Sequence, residues 1–325
     1  MHRLAAALVL VWLVVTLTFV LVRLAPGDAA AILVPPTATP EDAARLRNEL
    51  ALDAPIAVQY AKWMGALLRG DLGESFAQRR PVASVLREAL PVSLGLGLAS
   101  LVLTFVVGVA IGTLQAARRG TAVDPALTFL TTAIYAAPSF WLALSLIAVF
   151  TYGATVWGFP AALRLPAFGI RDPGGTETGW AAIADIVRHA VLPVTVLAAV
   201  GAAGIARYAR STVADLAGAE WVRTARAKGL PEWSVVGKHA LRTALSPFLT
   251  IAGLSLGGLL GGSVIVESVL GWQGIGALMV SAVRGRDVPV VMAVVLVASA
   301  AVWLGNAMAE LLQFANDARI RTGER

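Results

Sequence analysis

Seven lysines and arginines lie close together in residues 207–242, a polar segment between two apolar runs. Apolar residues at helical spacing on both sides of Gly229 and Pro231 predict a helix, a tight turn with Gly229 in the left-handed conformation, and a second helix. A basic helix of this kind can rest on anionic lipid headgroups or dock into another protein. The small residues Ala225 and Ala227 leave the backbone beside the turn accessible, which favours a protein partner over lipid.

Side chains for catalysis, metal binding and phosphate binding do not occur in their usual arrangements. The chain has no cysteine, and its three histidines, His2, His189 and His239, are too far apart in sequence to form a spaced metal motif. It has no Gly-rich phosphate loop ending in Lys-Ser/Thr and no Gly-x-Ser-x-Gly turn. We therefore expect no catalytic residue, no metal and no cofactor, so the energy for any work must come from elsewhere.

The composition indicates a membrane protein. Of the 325 residues, 58% are hydrophobic and 14% are charged, which is too little polar surface for a soluble globule of this size. The net charge of +6 and the pI of about 10.3 could indicate a nucleic-acid partner. The basic residues, however, lie mostly between apolar runs, where they orient membrane spans. We therefore expect contact with a lipid bilayer and no nucleic-acid partner.

Six stretches without Asp, Glu, Lys or Arg qualify as membrane spans, because a hydrocarbon core about 30 Å thick needs about 20 helical residues. The expected fold class is therefore all-α, a polytopic membrane protein with six transmembrane helices. The third stretch is expected to form one helix to about Tyr152. The first has nineteen uncharged residues, more than the core of a secretory signal, and is expected to be a retained anchor. The stretches are residues 4–22, 89–117, 125–163, 190–206, 243–266 and 288–309.

The distribution of basic residues predicts that both termini and the basic segment lie in the cytoplasm. Residues 207–242 contain seven Lys and Arg, whereas the equally long stretch 153–188 contains three. The long outer segment also contains seven, but acidic residues offset them and such loops carry little weight in this rule. The chain is thus divided into a first span (1–24), an outer segment (25–88), a membrane core (89–312) with a cytoplasmic loop at 207–246, and a cytoplasmic tail (313–325).

Two amphipathic helices are predicted in the outer segment, which would give the protein a small folded cap outside the membrane. The first begins after Thr39, with Pro40 at its first position. The second runs from Pro55 to Arg69, with Gly70 just past its end. The alternative is a simple spacer, for which two such helices would be unnecessary. The inward face of the second helix comprises Ile56, Tyr60, Trp63, Met64 and Leu67.

Two stretches of the basic segment resemble the cytoplasmic loop of type I ATP-binding-cassette importer permeases, specifically the dipeptide/oligopeptide/nickel branch. They are WVRTARAKGL at 221–230 and KHALRTALSP at 238–247. The sequence Arg223-Thr224-Ala225 departs from the family's Glu-Ala-Ala in a way that looks typical of the peptide branch. Further stretches similar to family motifs, in the family's order, are RLAPGD at 23–28, GDLGESF at 70–76, VESVLGWQGIGAL at 266–278 and GRDVPVV at 285–291.

This resemblance, which covers residues 4–321, implies a transport subunit and not an enzyme. It implies that part of the basic segment is a coupling helix, which sits in a cleft of a separate ATP-hydrolysing subunit. ATP binding would then close two such subunits and switch the spans from inward-facing to outward-facing. The residues implied in coupling are Arg223, Thr224, Ala225, Arg226, Lys228, Gly229 and Leu230.

The resemblance also implies partners and a location. The partners are two ATP-binding-cassette ATPase subunits, a second homologous permease and an extracytoplasmic solute-binding protein, in the inner membrane of a prokaryote. The long first outer segment resembles that of the first of two permease subunits. The implied cargo is dipeptides or oligopeptides; nickel chelates, glutathione and other small solutes remain open, as does a stand-alone carrier or channel.

Glycines at a four-residue spacing predict close helix packing in the membrane. Gly253, Gly257 and Gly261 share one helix face, and Gly108 and Gly112 repeat the spacing in the second span. These positions could pack within the chain or border the contact with a second permease. The spans otherwise lack the ionisable groups with which ion-driven carriers bind their coupling ion, which argues against a stand-alone carrier.

Overall fold

A computed structural model describes residues 2–24, 39, 41, 44–45, 54–217, 219–230 and 241–316. Its regular elements in these residues are helices, which confirms the predicted all-α class. The fifth of these helices includes a π-helical stretch at Ala148–Gly153. The helices are α1 (His2–Leu24), α2 (Ile56–Leu67), α3 (Val82–Ala117), α4 (Val123–Ala136), α5 (Ser139–Val156), α6 (Gly179–Ala217), α7 (Glu220–Ala227), α8 (Leu241–Gly262), α9 (Val264–Leu270), α10 (Ile275–Arg284) and α11 (Val288–Asn316).

The long helices alternate in direction, so the connections between them gather at two ends of the bundle. The basic end contains residues 118–122, 207–217 and 219–230, and the loop end contains residues 70–81, 157–178 and 271–287. Helices α1 and α11 are antiparallel: Phe19 packs near Val288 at the loop end, while Ala6 and Glu310 line one pocket toward the basic end. The described start of α1 and the end of α11 therefore lie at the same end as α7.

Five described helices are long and apolar enough to cross a membrane: α1, α3, α5, α6 and α11. The remaining predicted span, residues 243–266, falls mainly on α8, whose 22 residues extend about 33 Å at 1.5 Å per residue. Helices α9 and α10 pass the same test only as a pair, with a bend of 83° between them. Several helices continue past the predicted spans. Because α3 begins at Val82, the predicted boundary between residues 88 and 89 falls inside a helix.

The prediction of one continuous helix from residue 125 to about Tyr152 is wrong. Helix α4 ends at Ala136, Ala137 is extended with ψ of 134°, and α5 begins after Pro138. Proline has no N–H for the helical ladder, and its ring disfavours a helical conformation at the preceding residue. The third span is therefore broken near its middle, and α5 starts inside the bundle.

Helices α3 and α6 form the closest packed pair, and they run in parallel. A Cβ atom added at Gly108 would lie 2.7 Å from the Cβ of Ile205, and one added at Gly112 would lie 2.6 Å from the Cβ of Ala209. Each four-residue step along α3 thus meets a four-residue step along α6, which lets the two backbones approach. The same contact continues at Thr104, whose side chain would lie 2.9 Å from a Cβ at Gly201.

The second predicted outer helix is confirmed as α2, and it packs against the end of α1. Phe19 of α1 contacts Tyr60 and Trp63, with ring centroids 5.3 Å and 5.9 Å apart. Gly70 follows the helix with φ of +79°, as predicted. Ile56, however, is 47% exposed, so its predicted inward position is wrong; it is the first residue of α2, two turns before the aromatic contact at Trp63. The first outer helix, predicted after Thr39, lies almost wholly outside the described residues.

Candidate functional site

Within the basic segment, the last residues of α6 are followed by a short helix, α7. The backbone N–H groups of Val222 and Arg223 both donate to the carbonyl of Ala219 at 3.0 Å. Val222 is fully buried and packs against Ala219. Ala219 in turn donates its backbone N–H to the carbonyl of Leu216 in α6 at 3.0 Å, so α7 is joined to the end of α6 through this residue.

The turn after α7 has the predicted conformation. Gly229 has φ of +77°, and a Cβ added there would meet no described atom within 4 Å. A left-handed glycine at this place ends the helix without steric strain. Thr224 Oγ1 donates to the carbonyl of Glu220 at 3.0 Å within the helix. The exposed members of the predicted site are Arg223, Thr224, Lys228, Gly229 and Leu230.

The other predicted residues of this site are only partly described. Ala225 and Arg226 lie within α7. The second helix predicted from Pro231 lies outside the described residues as far as residue 240, and α8 begins at Leu241. Exposed cations near the C-terminal end of a short helix are favoured by its dipole. Arg223 and Lys228 place exposed positive charge at this end of the bundle.

A bidentate ion pair joins α4 to α6 close to α7. Arg210 donates from Nε to Asp124 Oδ1 and from Nη2 to Asp124 Oδ2, both at 2.7 Å. Asp124 is 6% exposed, and this paired geometry is the strong form of an arginine–carboxylate contact. Nearby, the guanidinium of Arg207 lies 4.0 Å from the ring centroid of Tyr135. In the sequence these arginines indicate only the orientation of the spans, because nothing there relates them to α4.

Glu267 is a fully buried carboxyl group at the loop end, and it is not among the site residues predicted from the sequence. Its Oε1 accepts hydrogen bonds from Ser93 of α3 at 2.6 Å and from Ser263 at 2.5 Å. Its Oε2 accepts the backbone N–H of Ala277 at 3.0 Å. A Cβ at Gly274 would lie 2.5 Å from Glu267 Oε2, so only glycine fits there. The VESVLGWQGIGAL stretch therefore folds around one carboxyl group that ties α9 and α10 to α3.

Asp287 forms a second polar junction, between two of the stretches that carry the family resemblance. Its carboxylate accepts the hydroxyl of Ser75 and the backbone N–H groups of Phe76 and Ala77, the latter two at 3.1 Å. Asp287 is 2% exposed and also lies just before α11. The GDLGESF loop is thereby fastened to the start of the last span. A sequence pattern cannot reveal this contact, because the partners are more than 200 residues apart.

A cavity of about 480 Å³ lies between α3, α6 and α8, with the first residue of α5 at its edge. Its walls combine aliphatic side chains and glycines with five hydroxyl groups, and none of the described residues lining it is charged. The hydroxyl groups belong to Ser100, Thr104, Ser139, Ser255 and Ser263.

The glycines predicted to pack have different surroundings. A Cβ at Gly253 would lie 2.5 Å from Cα of Ala309, so α8 and α11 are in close contact there. A Cβ at Gly261 would meet no described atom within 4 Å. Gly257 lies in α8, and its neighbour Gly258 lines the cavity. The glycine face of α8 thus passes from a helix contact to an open surface.

One histidine lies among carboxylates at the loop end. His189 Nδ1 is 2.9 Å from the carbonyl of Asp185, and its Nε2 is 3.5 Å from Asp172 Oδ1. The three residues each offer one potential metal-ligand atom, and these atoms lie within 4.8 Å of one another, a spacing that suits a metal ion. The backbone N–H of Asp172 also donates to Asp185 Oδ2 at 3.1 Å. These contacts attach the connection between α5 and α6 to the start of α6.

Comparison with known proteins agrees with this architecture. Residues 108–322 match the family described as "Binding-protein-dependent transport system inner membrane component". Residues 1–97 match "Binding-prot-dependent transport system membrane comp, N-term". Together the two matches cover nearly the whole chain, including α7 and both polar junctions.

Two relatives are similar over almost their full lengths. The "Oligopeptide transport system permease protein AppB" of Bacillus subtilis (strain 168) is 36% identical over 307 residues, 94% of this chain and 93% of the relative. The "Probable D,D-dipeptide transport system permease protein DdpB" of Escherichia coli (strain K12) is 35% identical over 321 residues, 95% of this chain and 93% of the relative.

Proposed function

The chain belongs to the family of binding-protein-dependent transport system inner membrane components, and on this premise we propose that it is the permease subunit of an ATP-driven importer of dipeptides or oligopeptides. The observation that carries the proposal is similarity at 35–36% identity, over nearly the whole chain, to proteins named for oligopeptide and D,D-dipeptide transport. As a transport permease it is a multi-pass membrane protein and not an enzyme.

The proposed coupling surface is α7 with its turn, residues 220–230. Arg223 and Lys228 are exposed, Val222 on the same helix is buried, and α6 connects this surface to the helices around the cavity. A force applied to α7 by an ATP-hydrolysing subunit would therefore reach α6 directly and α4 through the Asp124–Arg210 pair. The residues proposed to contact that subunit are Arg223, Thr224, Ala225, Arg226, Lys228, Gly229 and Leu230.

The family implies an ATP-binding-cassette ATPase and an extracytoplasmic binding protein as partners. We assign two ATPase subunits, a second homologous permease and one binding protein to the complex, with the basic end of this chain in the cytoplasm. The basic residues concentrated in 207–242 support that orientation. In this arrangement α2 and the GDLGESF loop face the binding protein. Nickel chelates, glutathione and other small solutes are the alternative cargo.

Substitution at the turn tests the coupling assignment. Valine at Gly229 must adopt φ of +77°, which costs a β-branched residue about 1–2 kcal/mol and disfavours the native turn roughly 5- to 30-fold. In the reconstituted complex, Gly229→Val should lower the amount of peptide imported per ATP hydrolysed, while insertion of the chain into the membrane is unchanged.

Gly120 provides a matched control at the same end of the bundle. Its φ is +84°, and a Cβ there also meets no described atom within 4 Å, so Gly120→Val introduces similar strain in a turn outside α7. Import per ATP should remain near the unsubstituted value in Gly120→Val. Equal import per ATP in the two variants would refute the assignment of α7 as the coupling surface.

A further inference from the structure

The cavity between α3, α6 and α8 is uncharged but not simply apolar. Its volume of about 480 Å³ falls within the range of small-ligand pockets, roughly 300–1,000 Å³. Aliphatic side chains such as Leu101, Val196 and Leu259 alternate with hydroxyl groups around it. Such a lining can make hydrogen bonds with a polar solute without holding it through charge.

The hydroxyl groups present mainly oxygen lone pairs to the cavity, because their hydrogen atoms are used elsewhere. Ser100 donates to the carbonyl of Leu96 at 2.6 Å, and Ser255 donates to that of Ile251 at 2.8 Å. A hydroxyl that has donated its one hydrogen keeps two acceptor sites. Thr104 likewise donates across to Ala198 of α6 at 3.4 Å.

Ser263 at the outer edge of the cavity follows the same pattern. It donates to the buried carboxyl group of Glu267 at 2.5 Å, so it too faces the cavity as an acceptor. The cavity therefore complements N–H donors, which in a peptide are the backbone amides and the terminal ammonium group. It offers little to a carboxylate or a phosphate.

Glycines give the cavity its space and its opening. Gly97 and Gly201 lie against Leu259 and Thr104, so side chains there would push into the walls. Gly258 is exposed, and a Cβ there would meet no described atom within 4 Å. The α8 side of the cavity is thus open, which would let a solute enter and leave past the helix.

We propose that this cavity is this chain's share of the path of the peptide and that it contacts the peptide's N–H groups through the acceptor hydroxyls of Ser100, Thr104, Ser255 and Ser263. The assignment rests on the proposed import of peptides. Weak, neutral contacts suit a path of this kind, because a solute that is bound tightly cannot be released.

The natural absence of cysteine makes the proposal directly testable. Thr104→Cys and Ser255→Cys place a thiol on the cavity wall, whereas Val102→Cys and Val106→Cys place one on the opposite, exposed face of α3. In the complete reconstituted complex, a charged, membrane-impermeant methanethiosulfonate should label Thr104→Cys and Ser255→Cys at least about tenfold faster than Val102→Cys and Val106→Cys. The reason is that thiolates form in water and not in apolar surroundings, and the exposed face of a membrane-spanning helix has apolar surroundings. Import of trialanine should slow that labelling.

A conservative pair of variants tests the acceptor role. Thr104→Val keeps the side-chain shape but removes the hydroxyl, and it should lower the import rate of trialanine about two- to tenfold, the effect of one lost hydrogen bond. Thr104→Ser retains the oxygen and should largely restore import. A Thr104→Ser variant as impaired as Thr104→Val would overturn the acceptor role.

The labelling result separates this inference from the proposed function. If the complex imports trialanine but the cavity cysteines label no faster than Val102→Cys and Val106→Cys, the path is elsewhere and this inference is wrong. If the complex imports no trialanine, the proposed cargo is wrong, and fast labelling of the cavity would then support only a water-filled path for another solute.

Discussion

The contact between α3 and α6 can be tested with one added methyl group. In Gly112→Ala, the new Cβ would lie 2.6 Å from the Cβ of Ala209 and 2.9 Å from the backbone N of Arg210, and closer still to the carbonyl of Ala206. These neighbours are backbone atoms or are fixed to the backbone, so α6 must move away as a whole. Overpacking of this type costs about 1–3 kcal/mol, and three rigid contacts place this case near the upper value.

Gly95 in the same helix provides the control. A Cβ there would meet no described atom within 4 Å, so Gly95→Ala should change stability by less than about 1 kcal/mol, in the stabilising direction expected for alanine in a helix. The free energy of unfolding can be followed through the nine tryptophans by fluorescence as the purified chain is titrated from mild detergent into SDS. We expect Gly112→Ala to be destabilised by about 2–3 kcal/mol relative to Gly95→Ala. Indistinguishable unfolding of the two variants would contradict the described packing.

The same titration tests the polar junctions. Glu267→Ala would leave two serine hydroxyls and one backbone N–H without their acceptor in a fully buried place, which should lower the free energy of unfolding by more than about 3 kcal/mol. Glu88→Ala removes an exposed carboxylate and should lower it far less. Similar losses in both variants would show that the buried junction does not stabilise the fold. Arg210→Lys keeps the charge but not the paired geometry with Asp124, so we expect the free energy of unfolding to fall by about 1 kcal/mol. Arg119→Lys, at an exposed position, is the control. Equal stability of the two variants would argue against the bidentate contact.

The membrane spans were predictable because they depend on a property that a sequence displays directly, the length of an uncharged apolar run. The ends of the helices were not, because a helix can continue into water once it has left the membrane. Helix α3 starts at Val82 and includes Arg87 and Glu88, and α6 extends to Ala217, beyond Arg207. The break at Pro138 was also missed, although proline at that place disfavours a continuous helix.

Local signals in the basic segment were equally informative. The helix end and the left-handed Gly229 follow from short-range rules, and both occur in the structure. The apolar spacing from Val213 through Ala225 predicts one helix, whereas the structure divides this stretch between α6, which ends at Ala217, and α7, which begins at Glu220. The four-residue glycine spacing in α3 predicted close packing but could not identify α6 as the partner. The spacing in α8 was less informative, because Gly253 lies against α11 while Gly261 faces open space.

The polar junctions lay beyond sequence reasoning because their partners are distant along the chain. Glu267 and Asp287 are each one acidic residue in an otherwise apolar or loop sequence, and only the fold brings Ser93 and Ser75 to them. Three of the stretches that carry the family resemblance, GDLGESF, VESVLGWQGIGAL and GRDVPVV, contribute residues to these junctions. Their similarity to family motifs therefore has a structural basis at the loop end, separate from the proposed coupling surface at the basic end.

The most direct test of this account is the energy source for transport. Proteoliposomes with this chain alone under a proton gradient are compared with proteoliposomes that hold the chain, its second permease and its ATPase subunits, supplied with ATP and the binding protein. Uptake of radiolabelled trialanine should occur only in the second preparation and should stop when ATP is replaced by a non-hydrolysable analogue. Gradient-driven uptake by the chain alone would contradict the account.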